Sequence, residues 1–255
     1  MEFMVAASTD VGIKKSVNED SLAVKVYNTP RGKLLFAVLC DGMGGLAKGE
    51  VASATVVTAF VDWFTSNLPI LSANTIEDSF IRREWERLVI TVDEKIKRYG
   101  IEHNITLGTT LTSMLMTEER YYICNVGDTR AYEITDKLKQ ITEDHTIVAR
   151  EVKLGKLTPD EANNDARKNI LLQCVGASEN IYPEMFFGET KRNAVYILCS
   201  DGFRHEITPE EIFNGLEPDV MREAEQMKRN IEYLINVNKQ RLEQDNISVI
   251  AIRTF

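Results

Sequence analysis

The chain of 255 residues is long for one domain but within the range of one, and its 44% of apolar residues can form a sizeable core. Thirty Lys and Arg residues against 39 Asp and Glu residues give a net charge of −9, and no run of basic residues is longer than two. This balance argues against a surface built for nucleic acid or for an anionic membrane.

Two apolar segments near the N-terminus predict a β-hairpin. Apolar residues at every second position predict a half-buried strand over Ser21–Tyr27. After the turn-rich sequence NTPRGK, the apolar run Leu34–Cys40 predicts a partner strand that is buried on both faces. The second strand is followed directly by the dipeptide Asp41-Gly42.

Two helices are predicted next. Apolar residues at helical spacing predict a helix over Glu50–Asn67, which we expect to end before Pro69. A longer amphipathic helix is predicted over Thr75–Tyr99, with Thr75 as its N-cap and Gly100 as its C-terminal stop.

The second half of the chain predicts five strands and one more helix. The strands are Thr109–Met116, Tyr121–Val126, Ala131–Ile134, Val195–Cys199 and Ile247–Ile252, and the helix is Pro218–Leu242. We expect the polar segment Glu143–Lys168 to form short helical turns that project from the domain. No repeat or low-complexity linker divides residues 1–255, so the pattern favours a single domain of two strand layers flanked by helices.

Cysteine usage and the chain's N-terminus bear on its compartment. The chain has four cysteines, Cys40, Cys124, Cys174 and Cys199. They are far apart and form no CxxC pair, and three of the four lie inside apolar runs. Buried free thiols in a reducing compartment fit this pattern better than zinc ligation or disulfides. No segment approaches the ~20 apolar residues of a membrane span, and no signal-peptide pattern is present. We therefore expect a soluble, cytoplasmic protein.

Aspartates recur at the ends of the predicted strands. Asp20 precedes the first strand of the hairpin and Asp41 follows the second, and antiparallel pairing brings these two positions to one rim. Asp201 follows Val195–Cys199 and Asp245 precedes the last strand, so these two share a rim as well if their strands pair. Asp128 lies at a turn between two strands.

Each of these aspartates alone could be a solvated turn residue, because Asp-Gly is a common turn dipeptide. Several carboxylates on one rim, however, would repel one another and shift one another's pKa values unless cations neutralise them. Hard divalent ions such as Mg²⁺ or Mn²⁺ are the cations that oxygen ligands prefer. The cluster therefore predicts a metal site that includes Asp41.

Seven segments in this order resemble the successive motifs of the metal-dependent protein phosphatases of type 2C, the PPM family, in its bacterial form. They are TDVGIKKSVNEDS, AVLCDGMGG, LGTTLTSML, CNVGDTRAY, ITEDHTIV, ILCSDGF and QDNISVI, and they extend from Thr9 to Ile252. The resemblance implies an α+β fold, a four-layer α/β/β/α sandwich of two antiparallel sheets between helices. It also implies two tightly bound Mn²⁺ or Mg²⁺ ions, and a possible third, that serve the hydrolysis of phosphoserine and phosphothreonine.

The resemblance also assigns roles to individual residues. Asp41 resembles the carboxylate that bridges the two ions, Gly42 the backbone-carbonyl ligand, and Glu19 a ligand of one ion. Asp201 and Asp245 resemble ligands of the other ion, and Asp20 resembles a residue behind the ligands. Asp128 is similar to the residue that binds a third, looser ion together with Asp201 in bacterial members, and residues 143–168 correspond to the flap near that third site. Thr110 and Asn246 also lie inside these motifs, but packing or turn hydrogen bonds explain their presence at least as well as a functional role does.

The implied reaction is in-line attack on phosphorus by a hydroxide that bridges the two ions, which requires no nucleophilic side chain. Two other functions stay open: a phosphatase-like regulatory or binding module with weak turnover, and a phosphatase of small phosphoesters. The family implies phosphoprotein substrates of a serine/threonine kinase, and we expect a monomer that binds neither nucleic acid nor membrane.

Two positions depart from the family pattern. Lys15 stands where the family usually has an arginine that binds the substrate phosphate, and lysine lacks the bidentate fork of arginine. A solvated surface lysine is the alternative interpretation of Lys15. Met43 stands where many eukaryotic members have a histidine that acts as general acid. We expect His103, His145 and His205 to be structural or solvated rather than catalytic.

Overall fold

The computed structural model describes residues 1–43 and 48–255, so the last two glycines of the AVLCDGMGG motif lie outside the described residues. The strands are β1 (Phe3–Asp10), β2 (Ser21–Thr29), β3 (Gly32–Cys40), β4 (Leu111–Met116), β5 (Arg120–Val126), β6 (Arg130–Ile134), β7 (Leu138–Gln140), β8 (Glu184–Glu189), β9 (Val195–Cys199) and β10 (Ile247–Thr254). The helices are α1 (Gly49–Ala73), α2 (Asp78–His103), α3 (Ile147–Lys153), α4 (Pro159–Asn164), α5 (Asp201–Arg204), α6 (Pro209–Leu216) and α7 (Ala224–Gln240).

The strands form two five-stranded sheets, in the orders β1-β10-β9-β6-β7 and β2-β3-β4-β5-β8. Every pairing within them is antiparallel. The sheets pack face to face, α1 and α2 cover the second sheet, and α5, α6 and α7 cover the first. The predicted four-layer α/β/β/α sandwich is confirmed.

Strand β3 shows how the apolar pattern produces these layers. Leu35, Ala37 and Leu39 point into the core between the sheets, and the alternate residues Phe36 and Val38 point toward α1 and α2. Both sets are fully buried, as the uninterrupted apolar run predicted.

The strand register brings the predicted aspartates to the strand ends expected for them. Ser21 pairs with Cys40 in the β2–β3 hairpin, so Asp20 and Asp41 lie side by side. In the other sheet, β10 pairs antiparallel with β9, and the last pair at this end of β9 is Val249 with Cys199. Asp201 and Asp245 therefore share a rim, as predicted.

Helix α1 continues through Pro69 to Ala73, so the predicted end before Pro69 is wrong. An interior proline costs a helix about 3 kcal/mol because it removes an N–H and crowds the preceding turn. Beyond Pro69, the side chain of Leu71 is buried against the core, and burial of a leucine contributes roughly 2 kcal/mol. The packing of Leu71 thus offsets much of the cost of Pro69, and the last turn also keeps the hydrogen bond from the Asn74 N–H to the Ile70 carbonyl oxygen.

The predicted bounds of α2 were also wrong at both ends, because it begins at Asp78 with Glu77 as N-cap and ends at His103. Gly100 lies inside the helix, where a Cβ atom would be 2.7 Å from the carbonyl oxygen of Ile105. The glycine therefore lets the chain that follows α2 fold back closely on the helix. Asn104, in a left-handed conformation with φ of 53°, ends it.

Helix α7 begins six residues later than predicted, at Ala224. The N–H groups of Val220 and Met221 instead donate to the carbonyl oxygen of Glu217 in a turn, and Met221 is fully buried there. The sequence analysis missed β1, β7, β8, α5 and α6, which are short or lie at sheet edges. The polar segment 143–168 contains α3 and α4, the short helices expected there.

All four cysteines are buried free thiols. Burial raises the pKa of Cys199 to about 12, and it raises those of the other three thiols as well. Protonated thiols of this kind fit the expected core role. In the part of the chain that the structure describes, no helix is long and apolar enough to cross a membrane.

Candidate metal centre

Asp41 and Gly42 form the centre of the site, at the end of β3. The Asp41 N–H donates to Thr110 Oγ1 over 2.9 Å, and the Thr110 N–H donates back to the Asp41 carbonyl oxygen over 2.9 Å. A Cβ atom on Gly42 would lie 2.5 Å from the Gly49 carbonyl oxygen and 2.6 Å from that of Glu19. Only glycine therefore fits this position beside the Asp41 carboxylate.

Glu19 is held from both sides of its backbone. Its N–H donates to Asn246 Oδ1 over 2.9 Å, and its carbonyl oxygen accepts from Ser53 Oγ over 2.6 Å and from the Gly42 N–H over 3.2 Å. The Asn246 side chain also donates to the carbonyl oxygens of Val11 and Val17. Asn246 thus makes hydrogen bonds to distant parts of the chain rather than within a turn, and it fixes the loop that carries Glu19.

Asp20 is buried and Asp41 is half-buried, and the charges of their carboxylates act on each other. Burial, with a smaller contribution from the charge of Asp201, raises the pKa of Asp20 to about 7. The Ser200 and Ser248 hydroxyls lie near enough to lower that pKa somewhat, but among the described residues neither oxygen of Asp20 has a partner in hydrogen-bonding geometry. Burial, followed by the charges of Asp20 and Asp201, raises the pKa of Asp41 well above its usual range.

Asp201 and Asp245 are supported by two residues that the sequence analysis did not place in the site. His205 Nε2 lies 3.4 Å from Asp201 Oδ2, and His205 Nδ1 lies 3.3 Å from Glu243 Oε2. The other oxygen of Glu243 accepts the Asp245 N–H over 2.8 Å. Asp201 Oδ1 is buried and has no hydrogen-bond partner within residues 1–43 and 48–255. The imidazole of His205 is therefore structural, as expected, but it orients a site carboxylate.

Asp128 belongs to a separate charged cluster next to this rim. Arg204 donates to the Asp128 carbonyl oxygen over 3.0 Å and to its Oδ2 over 3.4 Å. Asp144 accepts two hydrogen bonds from Arg130, of 2.8 and 2.7 Å. A cavity of about 1270 Å³ is lined both by this cluster and by the 143–168 segment. The segment thus lies next to Asp128, where the resemblance places the flap.

Lys15 lies at the mouth of the site. Its Nζ is 3.0 Å from Asp245 Oδ1 and 3.7 Å from Glu19 Oε2, and 28% of its side chain is exposed. Burial acts to lower the pKa of Lys15, but the hydrogen bond with Asp245 and the charges of Asp245 and Glu19 outweigh it and raise that pKa. Lys15 is thus a partly exposed cation that lies between two carboxylates.

The residues present fit divalent metal ions. The available donors are carboxylate and carbonyl oxygens, which suit Mg²⁺ and Mn²⁺ better than softer metals. The unpartnered oxygens of Asp20 and Asp201, together with the raised pKa of Asp41, mark negative charge that the fold itself does not compensate. Within residues 1–43 and 48–255, no three His, Cys, Asp or Glu side chains form a ready-made ligand set. An ion would therefore have to draw the carboxylates together.

Of the predicted site residues, the fold brings Glu19, Asp20, Asp41, Asp201 and Asp245 to one rim, with Gly42 and Lys15 beside them. Sequence reasoning missed Arg204 and Glu243 and gave His205 no part in the site. The only available signals were their positions in the sequence. Arg204 and His205 closely follow the SDG motif, and Glu243 lies two residues before Asp245.

Comparisons with known proteins show the family to which the chain belongs. The family model "Protein phosphatase 2C" matches residues 12–239. The serine/threonine phosphatase stp of Listeria welshimeri is 28% identical over 251 residues, 96% of this chain and 93% of that protein. The crystal structure of Stp1 from Staphylococcus aureus gives a TM-score of 0.83 at 26% identity, and covers 100% of this chain and 96% of that one.

A third similar protein is the catalytic domain of PstP, a serine/threonine protein phosphatase solved in complex with two manganese ions. Its TM-score is 0.74 at 29% identity, over 98% of this chain and 97% of that one. The family match extends over most of the chain and includes every candidate carboxylate except Asp245. The chain belongs to the protein phosphatase 2C family, with bacterial serine/threonine phosphatases among its relatives.

Proposed function

We propose that this serine/threonine phosphatase hydrolyses phosphoserine and phosphothreonine in proteins at a centre of two Mn²⁺ or Mg²⁺ ions. One observation carries the proposal: the half-buried Asp41 lies among other carboxylates, and partial burial together with the charges of Asp20, Asp201, Asp128 and Asp245 raises its pKa. A fold keeps such a group only if a cation compensates it when the site is in use. When bound, the two ions would supply an acidified bridging water for in-line attack on phosphorus and would neutralise the phosphoryl oxygens.

The chain's own residues divide the work of holding the ions. Asp41 would bridge them, and Glu19 and the Gly42 carbonyl group would complete the ligands of one ion. Asp201 and Asp245 would bind the other ion, and the free Oδ1 of Asp201 is an oxygen available for it. Asp20 is too deep to reach solvent and would orient the ligands from behind.

We further propose that Lys15 binds the phosphate of the substrate. Its ammonium group lies between Asp245 and Glu19, which would bind different ions, so the group is close to both proposed ion sites. Once ions neutralise these carboxylates, the ammonium group would be free to face an anion at the mouth. A lysine would do so as a single point charge, without the two parallel hydrogen bonds of a guanidinium group.

Met43 cannot donate a proton, so the proton for the leaving group must come from another source than this side chain. The N–H of Met43 donates to the Gly108 carbonyl oxygen over 3.1 Å, which fixes the backbone directly after the Asp41-Gly42 pair. The family's usual substrates are phosphoproteins. The partner kinase, the monomeric state and the cytoplasmic location stay predictions from the sequence.

The test is hydrolysis of a phosphothreonine peptide in Mn²⁺, with and without a chelator, compared with hydrolysis of p-nitrophenyl phosphate. We expect Mn²⁺-dependent turnover of the peptide and none in Asp41→Asn. Turnover of the small ester alone would favour the small-phosphoester function instead. Binding of the phosphopeptide without any turnover would favour the regulatory module.

A further inference from the structure

The guanidinium group of Arg204 occupies the space beside Asp128. It donates to both the carbonyl oxygen and the carboxylate of Asp128, and only 12% of the Arg204 side chain and 9% of the Asp128 side chain are exposed. Arg204 follows Asp201 by three residues on the single-turn helix α5. The element that delivers a ligand of the metal centre therefore also delivers a buried cation to the neighbouring carboxylate.

The cluster around Asp128 pairs acidic with basic side chains, although burial and the charge of Asp201 still raise the pKa of Asp128 to about 7. Its two carboxylates, Asp128 and Asp144, face two guanidinium groups, Arg130 and Arg204. Arg130 binds Asp144 through two hydrogen bonds, whereas Arg204 is 3.7 Å from Asp144 and closer to Asp128. Arg204 is thus a cation in contact with Asp128, and it lies where a metal ion would otherwise offset the charge of that buried carboxylate.

Asp201, the other carboxylate expected at a third ion, is also partly engaged. His205 lies against its Oδ2, and Glu243 holds the far nitrogen of the same imidazole. In the part of the chain that the structure describes, Oδ1 of Asp201 has no hydrogen-bond partner, and that oxygen suffices for one ion of the two-ion centre. Both carboxylates that would share a third ion therefore already face a basic side chain of the protein.

We propose that Arg204 acts as a built-in cation in place of the third metal ion, with His205 occupying the adjoining oxygen of Asp201. This inference rests on the proposed two-ion centre and concerns only the position next to Asp128. Arg204 and His205 are positioning residues in this scheme, because they act on carboxylates and not on the substrate. The chain would thus bind only two ions, whereas the resemblance implies a third, looser ion in bacterial members of the family.

The experiment counts bound Mn²⁺ by equilibrium dialysis at millimolar Mn²⁺, followed by elemental analysis. The comparison of the wild-type chain with Asp128→Asn cancels adventitious binding to this acidic protein. We expect both to bind the same number of ions, because Arg204 already occupies that position. Loss of one ion in Asp128→Asn would overturn the proposal, and this comparison does not depend on the folding of any Arg204 variant.

Removal of Arg204 should create the missing site. Arg204→Gln leaves the Asp128 carboxylate without its cation, so we expect it to bind one Mn²⁺ more than the double variant Arg204→Gln/Asp128→Asn. Arg229→Gln, at an exposed position of α7, is the matched control and should bind as the wild type does. A folded Arg204→Gln that gains no ion would overturn the proposal.

The two-ion centre is tested separately in the same series. Asp41→Asn should lower the ion count in every background, whether or not Arg204 is present. If Asp41→Asn leaves the number of bound ions unchanged, the proposed two-ion function fails. If Asp128→Asn instead binds one ion fewer than the wild type, only the inference about Arg204 fails.

Discussion

Asp41 and Thr110 hold each other through two reciprocal hydrogen bonds, each of 2.9 Å, from the Asp41 N–H to Thr110 Oγ1 and from the Thr110 N–H to the Asp41 carbonyl oxygen. Thr110, directly before β4, thus positions the backbone of Asp41 through groups other than its carboxylate. The carboxylate is left for another partner. It follows that the carboxylate can be altered while the backbone that presents it stays in place.

Substitution of Asp41 or Asp201 by asparagine should therefore abolish activity and preserve the fold. We expect kcat on a phosphothreonine peptide to fall by several orders of magnitude, since each variant loses a charged metal ligand. In EDTA, the free energy of unfolding should not decrease, because each substitution relieves repulsion among the clustered carboxylates. Asp62→Asn, at an exposed position of α1, is the control. A near-wild-type kcat in either variant would show that its carboxylate is not a ligand.

Activity should depend on added metal. EDTA should abolish turnover of the peptide, and excess Mn²⁺ should restore it. Ca²⁺ should restore it less well, because its larger and more flexible coordination suits this chemistry poorly. Rates measured after chelation and dialysis into each metal decide the point, and undiminished turnover after thorough metal removal would contradict the two-ion proposal.

Metal binding should also stabilise the fold, independently of any catalysis. A ligand at a hundred times its dissociation constant adds about 2.7 kcal/mol to the free energy of unfolding. For a domain of this size, that corresponds to a rise of roughly 5–10 °C in Tm. Thermal melts with and without Mn²⁺ measure it, and Asp41→Asn should lose most of the rise. An equal rise in both proteins would indicate that the ions bind elsewhere.

The rim of carboxylates could be predicted from the sequence because two local patterns determine it. The apolar run before Asp41 requires a buried strand, and antiparallel pairing then places Asp20 beside Asp41. The same reasoning held for Asp201 and Asp245. The roles of these residues as ligands came from the family resemblance and not from the pattern.

The rest depended on tertiary contacts that no local pattern encodes. Helix α1 passes through Pro69 because Leu71 finds a place in the core, which helix-ending rules do not consider. Arg204 contacts Asp128 only because β9 and β6 are neighbours in the sheet. Arginine and histidine after a motif are common enough that neither His205 nor Arg204 stands out before the strands are paired.

Asn246 should couple the fold to the metal site. It is 2% exposed, and its amide holds the Glu19 N–H and the carbonyl oxygens of Val11 and Val17. Asn246→Ala leaves these groups unpaired, so we expect the free energy of unfolding to drop by about 1–3 kcal/mol and Mn²⁺ affinity to weaken. Urea denaturation and metal titration measure the two effects.

A suitable control for Asn246→Ala is Asn164→Ala, because Asn164 is exposed and makes a single hydrogen bond within α4. It should leave both the stability and the metal affinity unchanged. If Asn246→Ala lowers stability but leaves Mn²⁺ affinity intact, the loop that it holds does not position Glu19 for the ion.

The last prediction concerns Lys15, which lies 3.0 Å from Asp245 at the mouth of the site. If its ammonium group meets the substrate phosphate as a point charge, Lys15→Arg should lower KM for phosphopeptides by adding a second hydrogen bond, worth at most ~1–3 kcal/mol. Lys15→Ala should raise KM more than it lowers kcat, because most of the stabilisation of the transition state would come from the ions. Lys14→Ala is the matched control, since Lys14 Nζ donates to Gln244 on the exposed side of the same loop. If Lys15→Arg and Lys15→Ala both leave KM where Lys14→Ala leaves it, Lys15 only neutralises the carboxylates of the metal-free site and does not bind phosphate.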